Sequence, residues 1–161
     1  MSIRKFVLTL LAAAAPALWA QTTTTSTFTS TQSLPPVGLA STETIQINAV
    51  NAAPESSSGT AASCTGSISF VNGSGTTIGS ATSYTLTSNE LKSVSLPYSE
   101  VTGASGRTEV RGVITQTGTS GVPCQLLISL ETFDTTTGVT HVYLVAGGAG
   151  GNGPQGGGPG H

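Results

Sequence analysis

The chain has 161 residues, which is enough for one domain of ordinary size. Ser and Thr together account for 48 residues and Gly for 21, whereas charged residues make up only 7% of the chain. A typical globular domain has about a quarter charged residues, so this composition excludes a helical bundle, a coiled coil and a cytosolic enzyme of average composition. With only five Lys and Arg residues, the chain is not expected to bind nucleic acid or an anionic membrane surface.

The amino terminus has the organisation of an export signal. Arg4 and Lys5 precede an apolar run that ends in small residues at Ala20. An uncleaved membrane anchor is the alternative, but the apolar stretch is shorter than the ~20 residues of a spanning helix and is interrupted by a proline. We therefore predict a signal peptide over residues 1–20 that is cleaved near Ala20. The mature protein is expected to be secreted or extracytoplasmic, without membrane contact.

Composition divides the remaining chain into three segments. Residues 21–40 form a Thr/Ser/Pro-rich spacer, because residues 21–33 lack the apolar alternation of a packed strand and are typical of a flexible linker or a site of sugar attachment. Residues 41–146 hold nearly all of the periodic apolar pattern and form the predicted domain. Residues 147–161 are mostly Gly, and we predict a disordered tail because they cannot bury enough apolar surface to offset their ordering entropy.

Within residues 41–146, apolar residues alternate with a period of two between frequent turn signals, a pattern typical of an antiparallel all-β domain. The pattern predicts about seven strands and no helix. In chain order these strands are Thr44–Asn51, Cys64–Phe70, Thr76–Leu86, Ser93–Tyr98, Thr108–Thr117, Cys124–Leu130 and Val139–Val145. A tight turn is expected at Asn72–Gly75, because Asn and Gly tolerate positive φ.

The chain contains two cysteines, Cys64 and Cys124. In an exported protein such a pair is expected to be bonded, because an oxidising compartment allows disulfides to persist. Both residues begin runs of inward-facing positions, so a bond between them would cross the core from the second to the sixth of the seven strands. A loop of this length constrains the unfolded chain by roughly 4 kcal/mol on the chain-entropy estimate.

This arrangement resembles the immunoglobulin-like sandwich, in which a disulfide joins the second and sixth strands between two sheets. The Trp that packs on the disulfide in that family is missing here, and Tyr84 is the only aromatic residue of the corresponding strand. The stretches Gly38–Asn48 and Thr108–Ile114 are also similar to those of small secreted Ser/Thr-rich proteins of acidobacterial soil bacteria. That likeness implies secretion and a β fold, and it transfers no functional residue.

The sequence contains no recognisable arrangement of catalytic residues. His141 is the only His before the terminal residue, and the chain offers neither a nucleophile with an oriented base nor three or four metal ligands. We therefore predict no catalytic residue, no metal and no cofactor. His141 itself is expected to be a surface or hydrogen-bonded structural residue, with a ligand or proton-transfer role as the alternative.

One group of polar residues is a candidate binding face. Arg107, Glu109 and Arg111 alternate on one face of a predicted strand, and Glu131 is expected opposite Arg111 if the following strand is its antiparallel neighbour. A solvated charge ladder that prevents edge-to-edge pairing is one interpretation of this face. A carbohydrate- or peptide-binding face, with His141 nearby, is the other.

The expected function is that of a secreted structural or adhesive β-sandwich without catalytic activity, located at or beyond the cell surface. Its expected partners are surface polysaccharide, other secreted proteins or a second copy of the chain. A carbohydrate-binding module is the alternative, although the mature chain is expected to have only three Tyr and three Phe to stack on sugars. A small secreted hydrolase is the third hypothesis. It is disfavoured because Glu109 and Glu131 would lie on a solvated sheet without aromatic residues to hold a sugar.

Overall fold

The computed structural model describes residues 25–55, 61–101, 103 and 106–146. The predicted signal peptide, the first residues of the predicted spacer and the predicted Gly-rich tail lie outside the described residues.

The described chain consists of nine β-strands and a single turn of 3-10 helix. The strands are β1 (Thr27–Ser33), β2 (Val37–Leu39), β3 (Glu43–Asn51), β4 (Ser63–Asn72), β5 (Thr77–Thr87), β6 (Leu91–Pro97), β7 (Thr108–Thr119), β8 (Leu126–Asp134) and β9 (Thr140–Ala146), and the 3-10 turn is Tyr98–Glu100. The seven strands predicted from the sequence correspond to β3 to β9, and the all-β class is confirmed. No helix in the described part of the chain has the length and apolar character needed to span a membrane.

The strands form two antiparallel sheets packed as a sandwich. The first sheet has the order β1-β7-β4-β5, and β2 pairs with the same edge of β7 as β1 does. The second sheet has the order β6-β3-β8-β9. The hairpin of β4 and β5 stays within the first sheet, whereas the second and third strands of an immunoglobulin domain lie in different sheets. The resemblance therefore covers the two-sheet sandwich and its disulfide but not the strand order.

The core lies between the sheets and is built from the alternating apolar positions. Ile45 and Ile47 of β3, Ile68 of β4 and Leu130 of β8 are completely buried. Successive side chains of a strand point to opposite faces, so each of these residues is separated from the next inward position by an outward-facing one. The outward positions of β3 and β8 are therefore displayed on the outer face of the second sheet, where the candidate site lies.

The predicted disulfide is present between Cys64 of β4 and Cys124, which precedes β8. Their Cα atoms are 5.1 Å apart, and Cys64 is completely buried. The amide Nε2 of Gln116 donates a hydrogen bond to the Sγ atom of Cys124 at 3.1 Å. The bond therefore joins the first sheet to the segment that leads into the second.

The structure corrects the predicted spacer over residues 21–40. Residues 27–33 and 37–39 are strands that pair with β7, so the domain begins well before residue 41. Leu34, Val37 and Leu39 are buried in the core. β1 shows no apolar alternation because it is an edge strand with mostly exposed side chains, held by backbone hydrogen bonds that leave no pattern in the sequence.

Candidate functional site

The structure separates the five residues of the predicted binding face. β7 lies in the first sheet and β8 in the second, so Glu131 does not lie opposite Arg111 and that predicted pairing is wrong. The physical reason is that β8 follows β7 across the sandwich and pairs with β3 and β9 instead. The five residues occupy three different places.

Glu109 and Arg111 line a small open cleft of about 90 Å³ beside Pro36 and Gly73. The Nε atom of Arg111 is buried there and has no hydrogen-bond partner among the described residues. Glu109 itself is exposed. A single arginine next to a carboxylate in so small a cleft does not define a ligand class.

His141 contacts Glu43 at one end of the second sheet. Its Nδ1 atom is hydrogen-bonded to Oε1 of Glu43, and Oε2 of the same carboxylate accepts a hydrogen bond from the backbone N–H of Ala40 at 2.7 Å. Glu43 is buried, whereas His141 is 46% exposed. An imidazole held by a carboxylate is the arrangement that orients a general base, yet the other ring nitrogen has no hydrogen-bond partner among the described residues. The contact therefore supports the structural interpretation of His141.

The environment of Glu43 holds its carboxyl group in the charged form. Burial by itself raises the pKa, but the hydrogen bonds from His141 and Ala40 and the positive charges of His141 and Arg107 outweigh it. The net effect places the pKa of Glu43 below its ordinary value of 4.5. The charge of Arg107 thus contributes to holding the Glu43 carboxyl group in its charged form.

The most organised polar surface is the outer face of the second sheet, which we call the polar face. It consists of two cross-strand rows in which directly opposite residues share the same side of the sheet. The first row is Ser95, Gln46, Glu131 and Tyr143, and the second row is Ser93, Asn48, Ser129 and Val145.

A hydrogen-bond network fixes the centre of the polar face. The Nε2 atom of Gln46 donates to Oδ1 of Asn48 at 2.9 Å and to Oε1 of Glu131 at 3.1 Å. The Nδ2 atom of Asn48 donates to the same Glu131 oxygen at 3.1 Å. The hydroxyl groups of Ser93 and Ser95 donate to the amide oxygens of Asn48 and Gln46 at 2.6 and 2.8 Å. Five side chains on three strands are therefore held in one arrangement by their mutual hydrogen bonds.

The network leaves mainly acceptor capacity directed to solvent. Both N–H bonds of Gln46 are used, and one N–H of Asn48 remains free among the described contacts. Oε2 of Glu131 and the lone pairs of the Ser93 and Ser95 hydroxyls have no donor within the described part of the chain. The polar face is thus suited to a partner that supplies hydrogen-bond donors.

Exposed apolar side chains flank the network on β9. Tyr143 is directly opposite Glu131 and is 62% exposed, and Val145 is opposite Ser129 and is 67% exposed. An exposed ring beside fixed polar groups can stack on an apolar surface while its neighbours form hydrogen bonds. Of the predicted site residues, the polar face includes Glu131 alone.

Sequence reasoning missed Gln46, Asn48, Ser93, Ser95 and Tyr143. The period-two pattern already places Gln46 and Asn48 outward, between the buried residues of β3. It does not show that β6 and β8 flank β3, because strand order is a long-range property. The sequence therefore indicates which side chains face outward, but it does not indicate which strands lie next to each other.

The described residues contain no group of three or more His, Cys, Asp or Glu side chains placed to hold a metal ion. Comparisons with protein-family models, curated proteins and solved structures found no match to this chain. The fold and the site thus define a two-sheet antiparallel β-sandwich with one disulfide and a fixed polar face.

Proposed function

We propose that this protein is a secreted structural or adhesive β-sandwich without catalytic activity, and that it acts at or beyond the cell surface through the polar face. The observation that carries the proposal is the hydrogen-bonded network of Gln46, Asn48 and Glu131 with two serines of β6. Because these groups are already held in place, little side-chain entropy is lost when a partner binds.

The proposed location is supported by two features. The Cys64–Cys124 disulfide is compatible with an extracytoplasmic compartment, where such bonds persist. The first 20 residues have the charge and apolar pattern of a signal peptide. Intact-mass measurement of the protein from its own culture supernatant tests the location. We expect a chain that begins near Gln21 and carries one disulfide, and a full-length mass or two free thiols would contradict the proposal.

The polar face is better suited to adhesion than to catalysis. The polar face has a single carboxylate, Glu131, whereas glycoside hydrolysis usually requires a pair of carboxylates on either side of the scissile bond. The other two carboxylates of the second sheet, Glu43 and Asp134, lie at its far end. Both accept hydrogen bonds from nearby backbone N–H groups. The groups of the polar face are therefore suited to holding a partner in place.

Adhesion is tested with the mature protein immobilised on beads and incubated with extracellular material from the source culture. We expect the double variant Gln46→Ala/Glu131→Ala to lose at least ~10-fold in retained material, the factor that corresponds to about 1.4 kcal/mol. The matched control is Ser67→Ala/Ser83→Ala, two opposite residues on the outer face of the first sheet. Equal retention by both folded variants would contradict the proposed role of the polar face.

A further inference from the structure

We infer that the polar face binds a neutral polysaccharide, with Tyr143 as the stacking platform and with Asn48 and Glu131 as the main hydrogen-bonding groups. This inference rests on the proposed adhesive function and names the partner of the same face. The register brings an exposed aromatic ring and a fixed amide–carboxylate cluster together on adjacent strands.

The ring and the polar groups match the two surfaces of a sugar. A pyranose presents C–H groups on its faces and hydroxyl groups on its edge, so a sugar stacked on Tyr143 directs hydroxyls sideways toward Glu131, the residue directly opposite. Directly opposite residues in an antiparallel pair have Cβ atoms about 5 Å apart, which places the ring of Tyr143 next to the carboxylate. Val145 extends the apolar surface along β9 and is also exposed.

The hydrogen-bond balance favours hydroxyl groups as the ligand. The open positions are mostly acceptors, namely Oε2 of Glu131 and the hydroxyl oxygens of Ser93 and Ser95, together with one free N–H of Asn48. A sugar hydroxyl can donate to the acceptors and accept from the amide. A row of four strands spans three spacings, about 14 Å, so the surface can contact several sugars of a chain.

The charge of the polar face distinguishes a neutral polymer from a charged one. An acidic polysaccharide would bring its carboxylates next to Glu131, and neither row of the face contains a Lys or Arg side chain to compensate. A basic peptide can pair its cationic side chains with Glu131, but it does not present the C–H face of a sugar to the ring of Tyr143. A second copy of the chain would instead cover Tyr143 and Val145 without any sugar.

Affinity electrophoresis in native gels tests the inference with soluble polysaccharides of known charge. The probes are a mixed-linkage β-glucan, a galactomannan and dextran as neutral polymers, and polygalacturonate as the acidic polymer. We expect the mature protein to be retarded by at least one neutral polymer and not by polygalacturonate.

Tyr143→Ala should weaken that retardation about tenfold, and Tyr143→Phe should recover most of it because the ring is retained. Val139→Ala, an exposed apolar change in the β8–β9 turn, is the matched control and should bind as the unmodified protein does.

The outcomes separate this inference from the proposed function. Retardation by no neutral polymer, or retardation that is unchanged in Tyr143→Ala, overturns the inference. If bead adhesion still depends on the polar face in that case, the adhesive function stands and the partner is of another class. Adhesion that is abolished by 1 M NaCl would then identify a cationic partner, because salt screens exposed charges. A dimer seen by light scattering that is lost in Tyr143→Ala would identify a second copy.

Discussion

Nδ1 of His141 on β9 is hydrogen-bonded to Oε1 of Glu43 at the start of β3, although the two residues are 98 positions apart in the sequence. The β8–β9 ladder pairs Thr132 with Val142 and Phe133 with Thr140, so His141 lies at an irregularity of the ladder. An extra residue at such a bulge redirects its side chain. The contact therefore depends on the register of β9 as well as on the residue types.

This pair makes the stability of the sandwich sensitive to acid. The pKa of Glu43 in the folded protein lies below its ordinary value of 4.5, because hydrogen bonds and positive charges outweigh the effect of burial. The charged carboxylate therefore stabilises the fold above that value, and its contribution is lost as the pH falls through the folded-state pKa. In urea unfolding between about pH 6 and pH 3 we expect Glu43→Gln to show a shallower loss of stability than the unmodified protein, in the pH range where Glu43 titrates.

His141→Ala should change the pH profile in the same direction, because it removes the hydrogen bond that lowers the pKa of Glu43. The pKa of Asp134 is about 2, because the backbone N–H of Thr137 above all stabilises its charged form, so the contribution of Asp134 is lost as the pH falls toward that value. Parallel profiles for Glu43→Gln and the unmodified protein would show that the pair does not carry the acid response.

Asn51 is expected to be among the most sensitive polar residues of the core. It is completely buried, its Nδ2 donates to the carbonyl of Leu86 at 3.1 Å, and its Oδ1 accepts from the backbone N–H groups of Ala53 and Gln125. Asn51→Ala leaves these groups unpaired, and we expect a loss of about 3 kcal/mol in the free energy of unfolding. Asn48→Ala on the same strand faces outward and should cost less than about 1 kcal/mol. Similar losses for the two variants in urea unfolding would contradict this assignment.

Two glycines that face aromatic rings should respond differently to substitution. A Cβ at Gly66 would lie 1.9 Å from the carbonyl oxygen of Thr115 and 2.6 Å from the buried hydroxyl of Tyr84. The three atoms nearest to a Cβ at Gly118 belong to the ring of Phe28, the closest at 2.1 Å, and Phe28 is 45% exposed, so its ring can turn away. We expect Gly66→Ala to cost about 3 kcal/mol and Gly118→Ala less than about 1 kcal/mol. Thermal unfolding of both variants provides the comparison, and an equal change in Tm would refute it.

Loss of the disulfide should remove a large part of the stability. The bond closes a loop with a sequence separation of 60, which corresponds to roughly 4 kcal/mol on the chain-entropy estimate. Total stabilities of small domains are about 5–15 kcal/mol. We expect Cys64→Ser/Cys124→Ser to unfold at a much lower urea concentration than the oxidised protein. The oxidised protein should contain no alkylatable thiol, and an unchanged unfolding midpoint after reduction would argue against the predicted stabilisation.

Truncation from the amino terminus should distinguish how much β1 and β2, the two strands not predicted from the sequence, contribute to stability. A chain that starts at Leu34 lacks β1, whose side chains are mostly exposed, and we expect it to fold with a lower Tm. Its uncovered β7 edge should also increase self-association in light scattering. A chain that starts at Ala40 also lacks Leu34, Val37 and Leu39, which are buried. Each such side chain contributes about 1.5–3 kcal/mol, so this variant should be unfolded. A folded chain from Ala40, with the Tm of the longer one, would show that β2 is dispensable.

The period-two pattern was sufficient to predict β3 to β9, because each of these strands packs alternate apolar side chains into or against the core. Pairs such as Ile45 and Ile47, or Ile128 and Leu130, record that burial directly in the sequence. β1 was missed for the opposite reason. Its side chains are mostly exposed at the edge of the sheet, and it is held by main-chain hydrogen bonds to β7 that any residue except proline can form.

Local information in the amino-acid sequence was enough to predict the all-β class and the Cys64–Cys124 disulfide, because strand periodicity and inward-facing cysteines reflect burial of each strand separately. Strand order was decided only in the tertiary structure, which places β3 between β6 and β8 and moves Glu131 from Arg111 to Gln46 and Asn48. Cross-strand neighbours depend on which sheet each strand joins, and that choice is made by packing the whole core. The polar face and the Glu43–His141 contact are products of that packing, since Glu131 is 83 positions from Asn48 in the sequence and His141 is 98 positions from Glu43.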